Sequence, residues 1–370
     1  MNVSLERAHL LKSLGHVHSV VERRNTIPIL SNVLLEADET GLKLSATDLD
    51  LDMVERAPAT VSAPGATTVA AHTFFDIVRK LPDGAMVDLE LVDGVSLKIS
   101  AGRSRFKLAC LPKEDFPVIA AGELPHEFGL SSAEMKRLID KTRFAMSTEE
   151  TRYYLNGIYL HVPSGDASIL RAVSTDGHRL AQVDMPCPDG AAGMPGIIIP
   201  RKAVAELRKL IDDEDETINI GLSDTRIRFA FGGAVLSSKL IDGNFPDYSR
   251  VIPAGNEKRL AVGSGLLAEG VDRVSTIATD KSRAVKLSLD HGRLTLSVNS
   301  MENGVATEDI EAEFESDAFD IGFNARYLTD ILSQIEGEHV EAYFDDSAAP
   351  TLVRDQGDER ALYVLMPMRV

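Results

Sequence analysis

The stretch from Ser237 to Tyr248 reads SSKLIDGNFPDY, and its pattern occurs earlier in the chain. Residues 106–117 read FKLACLPKEDFP, with a Lys-Leu pair, an acidic residue and a Phe-Pro pair in the same order. Leu240 lies 132 positions after Leu108, and Leu365 lies 257 positions after Leu108, close to twice that step. The spacing predicts one strand-and-turn ending used three times.

The segments before these endings share one order of elements. Residues 74–112, 203–242 and 327–367 each read as an amphipathic helix, alternating strands, an acidic hairpin and a closing strand. The other half of each repeat reads as a helix followed by strand hairpins. These helices are predicted to start at Leu5, Met135 and Leu267, which lie 130 to 132 positions apart.

Local signals support these elements. Ser4 and either Ser131 or Ser132 are predicted helix N-caps, with acidic residues in the first turn. The cleanest hairpin is AVKLSLDHGRLTLSV at 284–298, in which apolar residues alternate on both sides of a turn.

The repeats predict an α+β fold of three domains, each with two helices packed on antiparallel sheets. The predicted boundaries are 1–122, 123–254 and 255–370. The alternative is three domains on a flexible string, but no Pro-, Gly- or Ser-rich linker separates the thirds. Equal domains joined at a constant step form an arc, and an arc continued by symmetry closes into a ring.

The charge is distributed unevenly along the chain. The six predicted helical segments (6–24, 72–81, 131–147, 201–210, 264–281 and 324–335) carry a net +7, so the rest of a chain of net charge −18 carries −25. A charged face on a single helix is usually no more than a solvent-exposed surface. Basic helices from several repeats that line one common surface would instead attract a polyanion. No helix-turn-helix or aromatic base-reading stripe occurs, so DNA contacts should reach the backbone without sequence preference.

Composition excludes several classes of protein. Cys110 and Cys187 lie 77 positions apart, which fits packed thiols in a reducing compartment. The N-terminus is charged where a signal peptide is apolar, and no apolar run is long enough for a membrane helix, so a cytoplasmic location is expected. His16 and His18 form no metal motif, and no phosphate-binding Gly-rich motif occurs. No cofactor or metal is expected.

Several motifs resemble one family over the full length and in order. They are GRSRF at 102–106, RYYLNG at 152–157, TDGHRLA at 175–181, DGNFPDYSRVIP at 242–253 and YVLMPMRV at 363–370. The chain resembles the bacterial sliding clamps, the beta subunits of DNA polymerase III. The resemblance implies a head-to-tail homodimer that closes a ring around duplex DNA, with helices lining the hole. The resemblance implies that the protein catalyses no reaction and instead tethers partner proteins to DNA. These partners would be the polymerase III alpha subunit, the clamp loader, other polymerases, repair factors and ligase.

The resemblance also implies a pocket for short partner peptides, with apolar walls and with Arg179 and Arg369 at its rim. Its residues would be Leu155, Thr175, Gly177, His178, Arg179, Leu180, Pro246, Arg250, Val251, Asn324, Tyr327, Val364, Leu365, Met366, Pro367, Met368 and Arg369. Methionine side chains suit such a pocket because they adapt to different partners. Ser282 stands where relatives can carry an aromatic residue, which implies a shallower wall. The alternative for 363–370 is a plain core strand that ends at Pro367.

The DNA contacts implied by the family are Arg24, Tyr153 and Tyr154. Helix charge adds Lys136, Arg137, Lys141, Arg201, Lys202 and Lys209. Glu149 and Glu150 stand beside the two tyrosines and oppose a close approach of DNA by that loop.

Subunit closure implies a second set of residues, in which an edge strand of one copy meets the third domain of another. These residues are Arg103, Arg105, Phe106, Leu108, Ile277, Glu302 and Glu308. The arginines would face the glutamates across the interface. Phe106 and Leu108 could instead belong to a domain core.

An enzymatic alternative starts from the motif STDGHR. Ser174, Asp176 and His178 could suggest a hydrolase, but they lie too close in sequence to assume the geometry of a catalytic triad, and no Gly-x-Ser-x-Gly elbow occurs. A turn with a hydrogen-bonded histidine fits this motif better.

Overall fold

The structure is a computed structural model that describes residues 1–117, 122–211, 216–279 and 283–370. Ser282, with its implied shallower wall, lies outside these residues. In the described part of the chain there are six α-helices: α1 Arg7–His18, α2 Ala71–Lys80, α3 Ser132–Arg143, α4 Arg201–Leu210, α5 Ser264–Ser275 and α6 Ala325–Leu332.

The same residues form 26 strands. The first nine are β1 Asn2–Glu6, β2 Asn32–Asp38, β3 Gly41–Thr47, β4 Leu51–Ala57, β5 Thr60–Ala63, β6 Gly65–Ala70, β7 Met86–Val92, β8 Ser96–Ala101 and β9 Ser104–Leu111. The next eight are β10 His126–Ser131, β11 Gly157–His161, β12 Ile169–Thr175, β13 Arg179–Pro186, β14 Ile197–Pro200, β15 Thr217–Leu222, β16 Arg226–Phe231 and β17 Ala234–Lys239. The last nine are β18 Lys258–Gly263, β19 Ala284–Asp290, β20 Arg293–Ser300, β21 Gly304–Glu311, β22 Glu313–Phe314, β23 Phe319–Asn324, β24 His339–Phe344, β25 Thr351–Asp355 and β26 Asp358–Leu365.

The fold is mixed α and β, as the sequence predicted, and its strands pair antiparallel. By internal contacts the chain divides into two compact units. The first comprises residues 1–136, 188–195 and 199–240, and the second comprises 137–187, 196–198 and 241–370.

The first unit is built on one sheet with the strand order β10-β15-β16-β17-β4-β3-β2-β6-β9-β8-β7-β1-β5. Helices α1 and α2 pack against each other beside it. Leu10, Leu14 and Val17 recur on the buried side of α1, which is the spacing of an apolar helix face. The burial of these side chains, together with the inward residues of the strands, forms the core of the unit.

The second unit contains two sheets, with strand orders β14-β11-β12-β13-β26-β25-β24-β18-β22 and β21-β20-β19-β23. The predicted hairpin at 284–298 is confirmed as β19 and β20. Its inward residues Val285, Leu287 and Leu289 are at most 2% exposed, and Leu294 and Leu296 are fully buried across the turn. Period-two alternation therefore predicted this strand pair correctly.

The strand-and-turn ending that includes residues 237–248 forms a closing strand in each repeat. These strands are β9, β17 and β26, and each pairs with the strand before it in sequence. Strand β17 also pairs with β4 over five residues, and β26 also pairs with β13 over five residues. The closing strand therefore serves to join one hairpin sheet to another.

Two predicted helix starts have different outcomes. Ser4 and Leu5 are not at the start of α1, because both lie in β1, where Ser4 pairs with Asp88 and Leu5 is buried. The alternation of Val3 and Leu5 was the missed strand signal. Ser131 does cap α3: the Glu134 backbone N–H donates to its hydroxyl at 3.2 Å, and its own N–H donates to the Glu134 carboxylate at 2.8 Å.

Candidate functional site

The motif TDGHR forms a tight turn between β12 and β13. The backbone N–H groups of His178 and Arg179 donate to the Asp176 carboxylate at 2.9 and 3.0 Å, and the Thr175 hydroxyl donates to the Arg179 carbonyl at 2.7 Å. Gly177 has φ +87, and a Cβ there would lie 2.9 Å from an Arg152 guanidinium nitrogen. Only glycine satisfies both conditions without strain, so the turn is fixed by its sequence.

Arg179, which was expected at the rim of the pocket, lines a recess beside this turn, but most of its side chain is buried. Its side chain is 9% exposed and donates to Asp330 at 2.5 Å, to Asp176 at 3.1 Å and to the Phe144 carbonyl at 2.6 Å. The guanidinium also lies 4.4 Å from the centre of the Tyr327 ring. These contacts occupy most donors of the guanidinium, so Arg179 orients Tyr327 and α6 beside the recess.

An apolar cluster lies beside this turn. Its buried members are Val173, Leu180, Leu352 and Val364. Partly buried hydrophobic residues pack against it: Tyr159, Phe245, Tyr248, Ile252, Tyr343 and Leu362. The cluster contains two of the residues expected in the peptide pocket, Leu180 and Val364.

The C-terminal segment changes character at Met366. Tyr363 and Leu365 are fully buried, as the core-strand alternative predicts, and neither belongs to the apolar cluster that contains Val364. Met366 and Met368 are 37% and 41% exposed, and Arg369 is exposed. The Met366 N–H donates to the His178 carbonyl at 2.9 Å, and the Met368 N–H donates to the Gly322 carbonyl at 2.7 Å. These bonds hold the segment in place beside the turn.

Other expected pocket residues have distinct positions. Leu155 is buried, while Pro246, Arg250 and Val251 are exposed. Asn324 caps α6 by accepting from two backbone N–H groups. A recess of about 290 Å³ lies between residues 146–149, the turn and the start of α6, and its lining includes Asp176, His178, Asn324 and Tyr327. His178 and Tyr327 stack with ring centres 6.0 Å apart.

Sequence reasoning missed three aromatic residues of this region and one arginine. Tyr159, Phe245 and Tyr248 pack on the apolar cluster, and Arg152 contacts the turn through the Asp176 carbonyl at 3.4 Å. The signal was present in NFPDY, whose two aromatic residues flank Pro246 and had no assigned role.

The catalytic alternative does not fit the geometry. Ser174 is fully buried, and its hydroxyl donates to the Thr142 carbonyl. The Asp176 carboxylate accepts two backbone N–H bonds within the turn and one bond from the Arg179 side chain. Ser174 is therefore not placed as a nucleophile beside His178.

Candidate DNA-binding residues divide by their contacts. Arg24, Tyr153 and Lys209 are exposed, and Tyr154, Lys136 and Arg201 are partly exposed. Four of the candidates form ion pairs within the chain, and one of them is Lys209, which contacts Glu206 at 2.8 Å. Lys202 contacts Glu22 and Asp48 at 2.5 Å, Arg137 contacts Asp358 at 2.7 Å, and Lys141, 4% exposed, contacts Glu336 at 2.7 Å. In the STEETR loop, Glu149 pairs with Arg152 at 3.3 Å.

Two strand edges carry the residues expected at a subunit interface. Residues 104–109 of β9 pair with β8, and β9 pairs with β6 only at Leu111 and Cys110. Strand β21 is the end strand of its sheet. In these strands, Phe106 is 37% exposed and Val305 is 70% exposed. Sequence reasoning missed Val305.

The remaining interface residues lie near these edges. Leu108 is half-buried on β9, and Arg103 and Arg105 are exposed at the hairpin end. Glu308, on β21, accepts from Arg273 within the chain at 2.6 Å, and this contact lowers the pKa of its carboxyl. Glu302 is exposed in the turn before β21, and Ile277 accepts from Asn303 through its carbonyl.

Three family models match the chain in order. They describe the N-terminal domain of the DNA polymerase III beta subunit at residues 1–120, its central domain at 129–247 and its C-terminal domain at 249–369. The chain belongs to the DNA polymerase III beta subunit family of sliding clamps. Members of this family are non-catalytic processivity factors that tether polymerases to DNA, so the hydrolase alternative is wrong.

Similar proteins share the whole length. The beta sliding clamp of Caulobacter vibrioides is 54% identical over 372 residues and that of Escherichia coli K12 is 38% identical over 371, with 100% of both chains covered in each case. The crystal structure of the clamp from Bartonella birtlesii bound to griselimycin is 51% identical, has a TM-score of 0.98 and is covered completely in both directions.

Among the described residues, no helix is long and apolar enough to cross a membrane. No group of three or more His, Cys, Asp or Glu side chains in the same residues could hold a metal ion.

Proposed function

We propose that two copies of this chain associate head to tail into a ring that encircles duplex DNA without sequence preference. The observation that carries the proposal is the pairing of the closing strands. Strand β17 pairs with β4, and β26 pairs with β13. If the repeats are equivalent, β9 also pairs with a strand that corresponds to β4 and β13. In the third repeat that strand is β21, which lies at the end of its sheet and could be supplied by a second copy. Two such contacts related by a two-fold axis close a ring.

The proposed interface combines apolar and charged contacts. Phe106, Leu108 and Ile277 supply the apolar part, and Arg103 and Arg105 face Glu302 and Glu308 of the other copy. Backbone pairing of two edge strands gives register, and the flanking charges favour one orientation. The proposed domain boundaries remain 1–122, 123–254 and 255–370.

The proposed DNA contacts are Arg24, Tyr153, Tyr154, Lys136, Arg137, Arg201, Lys202 and Lys209. Lys141 is only 4% exposed, so we assign it to the support of α3. Arg137 and Lys202 form ion pairs within the chain, as Lys209 does with Glu206, and they remain proposed contacts. Cationic side chains on helices of a chain with net charge −18 attract phosphates to one face and repel them elsewhere.

The proposed peptide site lies on the apolar cluster around Leu180 and Val364, between Met366, Met368 and the segment 246–251. Exposed methionines above an apolar floor suit short motifs with aliphatic or aromatic anchors. The proposed partners are the polymerase III alpha subunit, the clamp loader, other polymerases, repair factors and ligase, in the cytoplasm.

Retention on DNA tests the ring. Protein assembled by a clamp loader on nicked circular DNA is separated from free protein by gel filtration, before and after a restriction enzyme linearises the circle. A topological grip predicts retention on the circle and release from the linear DNA. Equal loss from both forms contradicts the ring.

A further inference from the structure

The segment 245–252 forms one wall of the proposed peptide site, and three of its side chains, Phe245, Tyr248 and Ile252, pack on the apolar cluster. Arg250 and Val251, between Tyr248 and Ile252, are exposed. Tyr248 is the first residue of a 3-10 turn, Tyr248–Val251, so its position sets that of the exposed pair.

The Tyr248 hydroxyl has two partners on neighbouring strands. Arg171 on β12 is held by Asp184 through two bonds of 2.6 and 2.7 Å, and it donates to the Tyr248 oxygen at 3.3 Å. The hydroxyl lies 2.9 Å from His161 Nε2 on β11. When His161 is neutral and Nε2 carries no hydrogen, the Tyr248 O–H donates to Nε2 while its oxygen accepts from Arg171.

Aromatic stacking completes the anchor. The Tyr159 ring lies parallel to the Phe245 ring, with centres 4.8 Å apart and an angle of 6°, and it stacks on His161 at 4.5 Å. Both ends of the wall segment are therefore fixed to β11 and β12, Phe245 by stacking and Tyr248 by hydrogen bonds.

We propose that Tyr248 is a positioning residue for peptide binding: its bonds to Arg171 and His161 hold Pro246, Arg250 and Val251 in the geometry that a bound peptide contacts. This inference rests on the proposed peptide site. A wall fixed before binding lowers the ordering cost of association, so loosening it weakens binding even when every contact residue remains.

The chain of bonds depends on the protonation of His161. The titratable and charged groups that face its ring are Tyr159, Arg171, Asp184 and Tyr248. Burial lowers the pKa of His161 below its ordinary 6.5, and Arg171 acts in the same direction. At neutral pH the ring therefore accepts from Tyr248. Below that pKa, Nε2 carries a proton and cannot accept, so peptide affinity falls with acid.

The test uses fluorescence anisotropy of the full-length protein with a labelled peptide from the C-terminal tail of the cognate polymerase III alpha subunit. Tyr248→Phe keeps the ring but removes both hydroxyl bonds, and we expect about fivefold weaker binding at pH 7.5. Wild-type affinity should be constant above pH 6.5 and fall as the pH is lowered below 6.5 within the range in which the protein stays folded, whereas Tyr248→Phe should show no such fall. Thermal melting of each variant verifies folding.

A second variant tests His161 without touching Tyr248. His161→Gln supplies an acceptor that does not titrate but removes the stack on Tyr159, so affinity at pH 7.5 should be weakened and its fall with acid should disappear. His291→Gln, at an exposed position in the β19–β20 turn, is the matched control and should keep the wild-type profile.

A double variant, Met366→Ala with Met368→Ala, separates this inference from the proposed site. If it weakens binding while Tyr248→Phe and His161→Gln match wild type in affinity and pH profile, the positioning role is overturned and the site stands. If the double variant binds as wild type does, the site itself is misassigned.

Discussion

At the scale of single residues, Arg179 connects the turn after β12 to α6. Its guanidinium contacts two carboxylates and a backbone carbonyl and lies against the Tyr327 ring, with 9% of the side chain exposed. Removal of a buried charge leaves its partners Asp176 and Asp330 uncompensated, and that loss usually exceeds the value of any single contact.

We therefore expect Arg179→Ala to lower the free energy of unfolding by about 3 kcal/mol. Arg179→Lys should recover little of this, because an ammonium cannot reproduce the planar fork or the stacking. Urea unfolding followed by circular dichroism measures the effect. Arg250→Ala is the control: this arginine is also paired with an aspartate but is 83% exposed, so a change within about 0.5 kcal/mol is expected. Equal stabilities of Arg179→Ala and Arg250→Ala would contradict the assignment.

The sequence predicted which residues surround the candidate site better than it predicted what each one does. TDGHR, NFPDY and the C-terminal methionines lie around one apolar cluster. The role of Arg179 could not be read from the motif, because it depends on Asp330, 151 positions away. Leu365 lies outside the cluster for a simpler reason: side chains alternate along a strand, so Val364 and Leu365 face opposite sides.

At the scale of elements, α3 begins with a capping box. The Ser131 hydroxyl accepts from the Glu134 N–H, and the Glu134 carboxylate accepts from the Ser131 N–H. Two of the N–H groups that every helix start leaves without an intrahelical partner are thereby satisfied. The helix buries Met135, Leu138 and Ile139, so its start also fixes part of the core.

Ser131→Ala should lower the free energy of unfolding by about 1 kcal/mol, since alanine provides no acceptor for the Glu134 N–H. Ser131→Asp should retain most of the stability, because aspartate is also a good N-cap. Ser4→Ala is the matched control, as Ser4 lies in β1 and caps no helix. Thermal unfolding followed by circular dichroism distinguishes these variants, and an equal loss for the two alanine variants would argue against the cap.

Elements were predictable where one local signal acted alone. The β19–β20 hairpin follows from alternation, and the start of α3 follows from Ser-x-x-Glu. At the N-terminus two signals competed: Ser4 resembles an N-cap, but Val3 and Leu5 bury their side chains on a strand that pairs with β5 and β7. The strand partners of β1 determined which structure forms, and these partners lie more than 55 residues later in the sequence.

At the scale of the whole molecule, repetition predicts more than the local signals do. Each repeat ends in a closing strand, but the three closing strands differ in how much of their length has a neighbouring strand on both sides. Strand β17 has neighbours on both sides in β16 and β4, and β26 has neighbours in β25 and β13. A step of 132 positions reveals that the endings are equivalent, but only the strand register reveals that residues 104–109 of β9 have one neighbour among the described residues.

The proposed ring predicts a solution mass of twice 40.1 kDa, and Phe106 is the residue with which to disrupt it. Phe106→Glu places a carboxylate on the edge of β9, where its desolvation on association costs several kcal/mol and should weaken the dimer at least a hundredfold. Light scattering at micromolar concentration should then give the mass of one chain, and retention on nicked circular DNA should be lost. Peptide binding should persist, because the cluster around Leu180 and Val364 lies within the second unit.

Val95→Glu is the control for this experiment. Val95 is 61% exposed in the turn between β7 and β8, and its carbonyl accepts from the Cys110 N–H, so the same charge is added on the β8 side of β9, opposite the open edge of residues 104–109. It should leave both the mass and the retention on circular DNA unchanged. If Phe106→Glu also remained a dimer, β9 would not be the closing edge, and the missing partner of the repeat would have to be sought on another strand.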